Sequence, residues 1–209
     1  YWLLFVLFKA PDLGDPDHYS MKGNIASYID RLLLPGRFCC FEYGDNEGLL
    51  ALIPAIGTGL LGMLTGELLM TDRKPMKKVI WMSLAGILLM FLGRLWNLTF
   101  PINKNLWSSS FVCWVGGLSL LLLAIFYLII DVWKQRKWAF SFVVIGMNPI
   151  TIYLANRIIT WDNANRFFFG GIAALFPENW GELVLAIGYV TIGWLFLYFL
   201  YKKKIFLKV

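Results

Sequence analysis

The chain has 209 residues, 59% hydrophobic and 15% charged, with 17 Phe, 10 Trp and 9 Tyr. A soluble domain is nearer half apolar and about a quarter charged. Several stretches here reach the ~18 mostly apolar residues that a bilayer crossing needs, so a soluble bundle is set aside for an all-α, polytopic membrane helix bundle. The net charge of +6 comes from basic residues spread among loops, which argues against a nucleic-acid interface.

In chain order, Tyr1-Trp-Leu-Leu-Phe-Val-Leu-Phe8 carries neither an initiating Met nor a basic leader, and so few residues cannot cross a hydrocarbon core of ~30 Å. Residues 1–8 are expected to be the end of a truncated transmembrane helix, which would make the chain the C-terminal portion of a longer protein. Residues 9–48 are expected to form an extracytoplasmic loop. Within it Ile25, Tyr28, Ile29, Leu32 and Leu33 recur at helical spacing. That spacing predicts a short interfacial helix, capped by Asn24 and stopped by Pro35-Gly36. Cys39 and Cys40 read as ordinary thiols near the membrane surface, and with Cys113 they match no metal spacing.

Residues 49–209 are expected to form a five-helix transmembrane bundle, with full spans over 49–70, 79–98, 108–130, 138–160 and 180–201. Gly62-Met-Leu-Thr-Gly66 in the first is a weak close-packing pattern, and Gly116-Gly117 marks a packing point in the third. The fourth is interrupted at Gly146-Met-Asn-Pro149. Segments 99–107 and 161–179 are expected to be loops. Counting Lys and Arg, the loops after the first, third and fifth spans hold eleven, and the opposite side holds six over longer loops. By the positive-inside rule the C-terminus is cytoplasmic. Segment 9–48, the loop around Lys104 and loop 161–179 then share the outer face. Trp107, Trp138, Trp161 and Trp180 fall at predicted span ends, as interfacial aromatics do.

Polar groups are costly in a membrane and tend to face a bundle interior or a watery cavity. Three sets are candidates on or near the outer face. Asp30-Arg31 lies in the interfacial helix, with Glu47 beside the first full span. Asn103-Lys104-Asn105 lies in the loop before Trp107 and Ser108. Asn148, Thr151, Tyr153, Asn156 and Arg157 lie in the fourth span. Each set also has a plainer role. Asp30-Arg31 would serve as a rim salt bridge, Asn148 would satisfy backbone groups freed by Pro149, and Lys104 would sit among headgroups. There is no HExxH, P-loop, GxGxxG or nucleophile triad. His18 is the single histidine and lies in a polar loop. The catalytic group is therefore unknown from the residues alone, and no metal site is expected.

Ser27-Tyr-Ile-Asp-Arg-Leu-Leu-Leu34, Asp45-Asn-Glu-Gly48, Pro101-Ile-Asn-Lys-Asn-Leu-Trp-Ser108, Gly146-Met-Asn148 with Tyr153, and Tyr201-Lys-Lys-Lys-Ile-Phe-Leu-Lys208 occur in this order. In these the chain resembles the C-terminal half of the heparan-α-glucosaminide N-acetyltransferase family and its bacterial relatives. The resemblance implies a membrane enzyme, in a bacterial inner membrane, moving an acetyl group from acetyl-CoA to an amino-sugar acceptor. It also implies a catalytic histidine in the missing N-terminal half, whose motif His18 does not match. An amine attacking a thioester needs a base for its proton and donors for the oxyanion. Asn103, Asn105 and Asn148 are candidates for sugar hydroxyls or the oxyanion, Trp107 and Tyr153 for a sugar face, and Lys104 and Arg31 for a phosphate or carboxylate. Asp30 and Glu47 complete the substrate-binding set. The expected partners are the lipid bilayer, the acceptor and the N-terminal half, with homo-oligomerisation left open and no nucleic acid. The rival readings are a transporter of a polar or sugar-like solute, suggested by the interruption at Pro149, and a scaffolding subunit.

Overall fold

The computed structural model describes residues 1–35, 38 and 42–207. Gly36, Cys39 and Cys40 lie outside them, so the helix stop at Gly36 and the paired thiols are not assessed; Lys208, part of the terminal motif, lies outside as well. The described residues are helical apart from turns, loops and an isolated bridge between Lys9 and Asn24. They divide into two compact units, residues 1–134 and 135–209.

In the first unit, α1 (Trp2–Leu7) and α2 (Ile25–Leu33) precede a 3-10 turn, Leu49–Ala51, that runs into α3 (Leu52–Met70). Then come α4 (Pro75–Trp96) and α5 (Ser109–Tyr127), the last ending in a π-helical turn, Leu128–Val132. Local chemistry sets these bounds. The Asn24 side chain accepts the Ser27 N–H at the start of α2 (2.7 Å), and Ser108 Oγ accepts the Phe111 N–H at the start of α5 (3.3 Å). Pro75 occupies the first turn of α4, where its missing N–H is not needed. Lys78 is buried and donates to the Leu69 carbonyl (2.6 Å), which closes the free C-terminal end of α3.

Helices α4 and α5 form the tightest pair. A Cβ on Gly86 would stand 2.9 Å from the Gly117 carbonyl oxygen, and one on Gly117 would stand 2.5 Å from the Gly86 carbonyl oxygen. Gly117 is thus a packing point, as expected. The Gly62/Gly66 pattern on α3 is not: nothing lies within 4 Å of a Cβ built there. Helix α1 packs into the first unit. Phe5 is fully buried with Phe100 and Leu106, and Tyr19 packs beside them. His18 Nδ1 donates to the Phe5 carbonyl (2.8 Å), so the histidine ties this cluster together.

The second unit holds α6 (Phe140–Gly146), α7 (Pro149–Ile158), α8 (Trp161–Ala173) and α9 (Glu178–Lys202). Among the described residues, four helices are long and apolar enough to span a membrane: Leu49–Met70, Pro75–Trp96, Ser109–Val132 and Glu178–Lys202. The protein is an integral membrane protein, but the expected fourth full span over 138–160 is two short helices. Pro149 has no N–H to give and its ring opposes a helical residue before it, and Asn148 duly leaves the helix at φ −141°, ψ 50°. Segment 161–179, expected to be a loop, is mostly α8. It runs antiparallel to α9, with Ala173 against Gly181, Asn165 and Phe169 against Gly188, and Trp161 against Phe196. Gly181 and Gly188 allow that approach, because a Cβ at either would collide with α8.

Candidate functional site

Helix α2 turns its polar side inward. Asn24, Ser27 and Asp30 are buried, whereas Leu32 and Leu33 are 65% and 61% exposed. The polar side faces the turn before α3. Asp30, 1% exposed, accepts the Leu49 N–H through Oδ1 (2.9 Å), placing a carboxylate at the N-terminal end of a span. Gly44 and Gly48 let the 42–48 segment lie this close: a Cβ at Gly44 would enter the Ser27 side chain, and one at Gly48 would enter the Asp30 carboxyl. Between them Asp45 Oδ1 accepts the Glu47 N–H (3.0 Å) and holds the turn. The second carboxyl oxygen of Asp30 has no hydrogen-bond partner among the described residues. Burial raises the Asp30 carboxyl above the usual carboxylate range, opposed by the Leu49 and Asp45 N–H groups and reinforced by the Asp45 charge.

The loop from Pro101 to Ser108 is built by its own polar side chains. Asn97 Oδ1 accepts the Ile102 N–H (2.8 Å), and Asn103 Oδ1 accepts the Asn105 N–H (2.9 Å). Ser108 Oγ takes the Asn103 N–H (3.1 Å) and gives its proton to the Pro101 carbonyl (2.7 Å). Trp107 sits at φ +49°, a left-handed conformation uncommon for a bulky residue, and its indole N–H reaches Thr58 Oγ1 on α3 (3.2 Å). The Tyr1 hydroxyl donates to the Leu106 carbonyl, so the loop is tied to α1 and α3. Beneath Trp107, α3 and α5 leave an apolar groove of about 490 Å³, running from Thr58 and Phe111 to Leu69 and Leu123. On the other side of the loop, Asn105 and Asp30 line one small cavity of about 10 Å³ with Tyr1 and Asp45, the volume of about one water.

The structure therefore joins Asp30 to Asn105, Asn103 to Ser108, and Trp107 to Thr58. Arg31 stands apart from them. It clasps Asp12 bidentately (2.7 and 2.8 Å) and donates also to the carbonyls of Met21, Lys22 and Tyr43, which occupies all five guanidinium N–H groups. The pair expected at Asp30-Arg31 is instead Arg31–Asp12, and Arg31 holds Asp12 well below the usual carboxylate range. Lys104 and Glu47 are exposed. Sequence reasoning passed over Ser27, Asp45 and Thr58; the spacing of Asn24, Ser27 and Asp30 on one helical face was the available signal for Ser27.

Asn148 and Tyr153 belong to the second unit. Asn148 is buried, donates to the Ile205 carbonyl (3.0 Å) and accepts the Leu207 N–H (3.2 Å). These residues follow the Lys202 end of α9, so Asn148 lies at that end of the unit, whereas the sequence reading put it on or near the outer face shared with segment 161–179. Tyr153 is 64% exposed. Asn148→Ala is expected to release residues 205–207, at about 1 kcal/mol per hydrogen bond, and to speed tryptic cleavage at Lys202–Lys204. Unchanged cleavage would mean that Asn148 does not hold the tail.

No family model matches the chain. The heparan-alpha-glucosaminide N-acetyltransferase of Mus musculus is 31% identical over 95% of this chain, and that of Homo sapiens 29% identical over 94%. The chain spans about a third (32%) of the length of each. The family resemblance thus holds over nearly the whole of this sequence.

Proposed function

We propose, because the chain is a relative of the heparan-alpha-glucosaminide N-acetyltransferases over nearly its whole length, that it is part of a membrane N-acetyltransferase moving an acetyl group from acetyl-CoA to an amino sugar. That likeness is the observation that carries the reading. The amine nitrogen attacks the thioester carbonyl carbon, the C–S bond breaks, coenzyme A leaves as the thiolate, and a base takes the amine proton. The base is assigned to a histidine outside these residues, since His18 is engaged with the Phe5 carbonyl. The loop around Lys104 contributes binding. Asn103 shapes the loop through its bond to the Asn105 N–H. The Asn105 amide and the exposed Lys104 ammonium are left to meet substrate, as hydrogen-bond donors to the oxyanion or to a phosphate. We place the Lys202 end of α9 in the cytoplasm, following the excess of basic residues on that side.

Transport through a broken helix is less well supported, because the Asn148 amide at the break is occupied by the residues after α9. In the full-length enzyme, Lys104→Ala and Asn105→Ala are each expected to lower kcat/KM for acetyl transfer by roughly ten- to a hundredfold, the size of a lost hydrogen bond to a charged group. Wild-type rates in both variants would remove the loop from the mechanism. Absence of acetyl-CoA turnover in the wild type would remove the reading itself.

A further inference from the structure

Helix α4 has two unlike sides. Met82, Gly86 and Gly93 are buried, and the two glycines lie too close to α5 to admit a Cβ. The opposite side carries Leu84, Ile87, Leu88, Phe91 and Leu95 at spacings of three and four, with Leu98 just beyond the helix end, and all are exposed. Helices that pack on one another in a membrane meet through small residues; this side presents large ones. At its edge, three residues after Phe91, stands Arg94. It is exposed and has no ion-pair or hydrogen-bond partner among the described residues. With Phe91, Leu95, Asn97 and Leu98 it lines a cavity of about 310 Å³. Asn97 spends its Oδ1 on the Ile102 N–H (2.8 Å), which leaves its NH2 group for a guest.

Depth decides what meets this cation. Arg94 lies two residues before Trp96, the last residue of α4, so it is about 3 Å from the helix end, and its stem carries the guanidinium to the headgroup level. From Leu84 to Arg94 the helix rises about 15 Å, half of the ~30 Å hydrocarbon core and therefore the depth of one leaflet. A charge at headgroup depth above one leaflet of exposed apolar side chains matches a phosphate above an acyl chain. We propose that Arg94 and Asn97 hold the phosphodiester of one anionic phospholipid, whose acyl chain lies along Phe91, Leu88 and Leu84. The guanidinium offers a planar fork of donors that takes a phosphate bidentately. A zwitterionic lipid brings its own cation to its phosphate, whereas an anionic one leaves that charge for Arg94. The proposal rests on the membrane placement of α4 and does not depend on acetyl transfer.

The test is photo-crosslinking of the full-length protein in phosphatidylcholine nanodiscs. Trace phosphatidylglycerol and trace phosphatidylcholine, each with a diazirine on an acyl chain, are compared, and the crosslinks along residues 84–98 are read by mass spectrometry. In the wild type the phosphatidylglycerol probe should label this stretch about fivefold more than the phosphatidylcholine probe, the worth of one basic side chain beside an anionic headgroup. Unlabelled phosphatidylglycerol should compete, and inorganic phosphate should not. Arg94→Gln should bring the ratio to one, and Arg94→Lys, which keeps the charge, should restore a preference. Labelling by the phosphatidylcholine probe shows in each variant that α4 still faces lipid. Equal labelling by both probes in the wild type, as water alone or a carboxylate from another helix on Arg94 would give, overturns the proposal. So does a ratio unchanged in Arg94→Gln, a preference lost equally in Arg94→Lys, or competition from inorganic phosphate as strong as that from lipid.

Discussion

Replacing Gly117 by alanine is expected to destabilise the first unit by at least the upper end of the roughly 1–3 kcal/mol that overpacking costs. The added Cβ would meet the Gly86 carbonyl oxygen at 2.5 Å and the Met90 amide nitrogen at 2.8 Å. Both are backbone atoms, so no rotamer change relieves the contact and the two helices must separate along their closest approach. Gly57→Ala on α3 is the control, since nothing lies within 4 Å of its Cβ. There the better helix propensity of alanine should add up to about 1 kcal/mol. Denaturant titration of both variants in micelles measures the contrast. Equal midpoints would mean that the α4–α5 contact is not the tight one.

The second large effect concerns Asp30 and pH. Burial holds its folded-state carboxyl above the usual range, so between the ordinary carboxylate value and the raised one the folded state binds more protons than the unfolded state. Stability from this group is present at low pH and lost as pH rises through that window. Asp12 acts in the opposite sense: its depressed value, set by Arg31, gives stability that is lost as pH falls. Asp30→Asn keeps an oxygen for the Leu49 N–H and cannot ionise. It should raise the denaturation midpoint at neutral pH and remove the decline above mildly acidic pH. A midpoint at neutral pH below that of the wild type would show that the carboxylate charge itself stabilises this site. Acetyl transfer measured on the same protein separates stability from chemistry: a more stable but slow Asp30→Asn enzyme would give the carboxylate a part in the reaction.

Hydropathy made the membrane class and the four long helices legible, because twenty apolar residues have few other uses. Asn24 was readable as a cap because its side chain and position satisfy a free helix N–H without help from tertiary structure. The fourth span was misjudged because hydropathy averages over Asn148-Pro149, while the proline acts on one peptide. Helix α8 was hidden for a related reason. Trp161-Asp-Asn-Ala-Asn-Arg166 reads as polar, yet Asn165 turns its amide to the Leu185 carbonyl (2.8 Å) on α9, and only the packing surface of α9 makes that placement worthwhile. At the candidate site the residue types were legible and their partners were not. Arg31 was grouped with its neighbour Asp30, but consecutive residues on a helix point apart, and Arg31 found Asp12 at a distance in sequence that no spacing rule covers.

The inward-turned polar side of α2 assigns part of the protein's cohesion to its surroundings. Lifting this helix away would bring Asp30, Asn24 and Ser27 into whatever medium lies outside and would withdraw Leu32 and Leu33 from it. In a lipid environment exposing those polar groups would be unfavourable, so a bilayer lying against Leu32 and Leu33 would act as an external clamp on α2. A thin or highly hydrated micelle slackens that clamp without breaking any bond inside the protein.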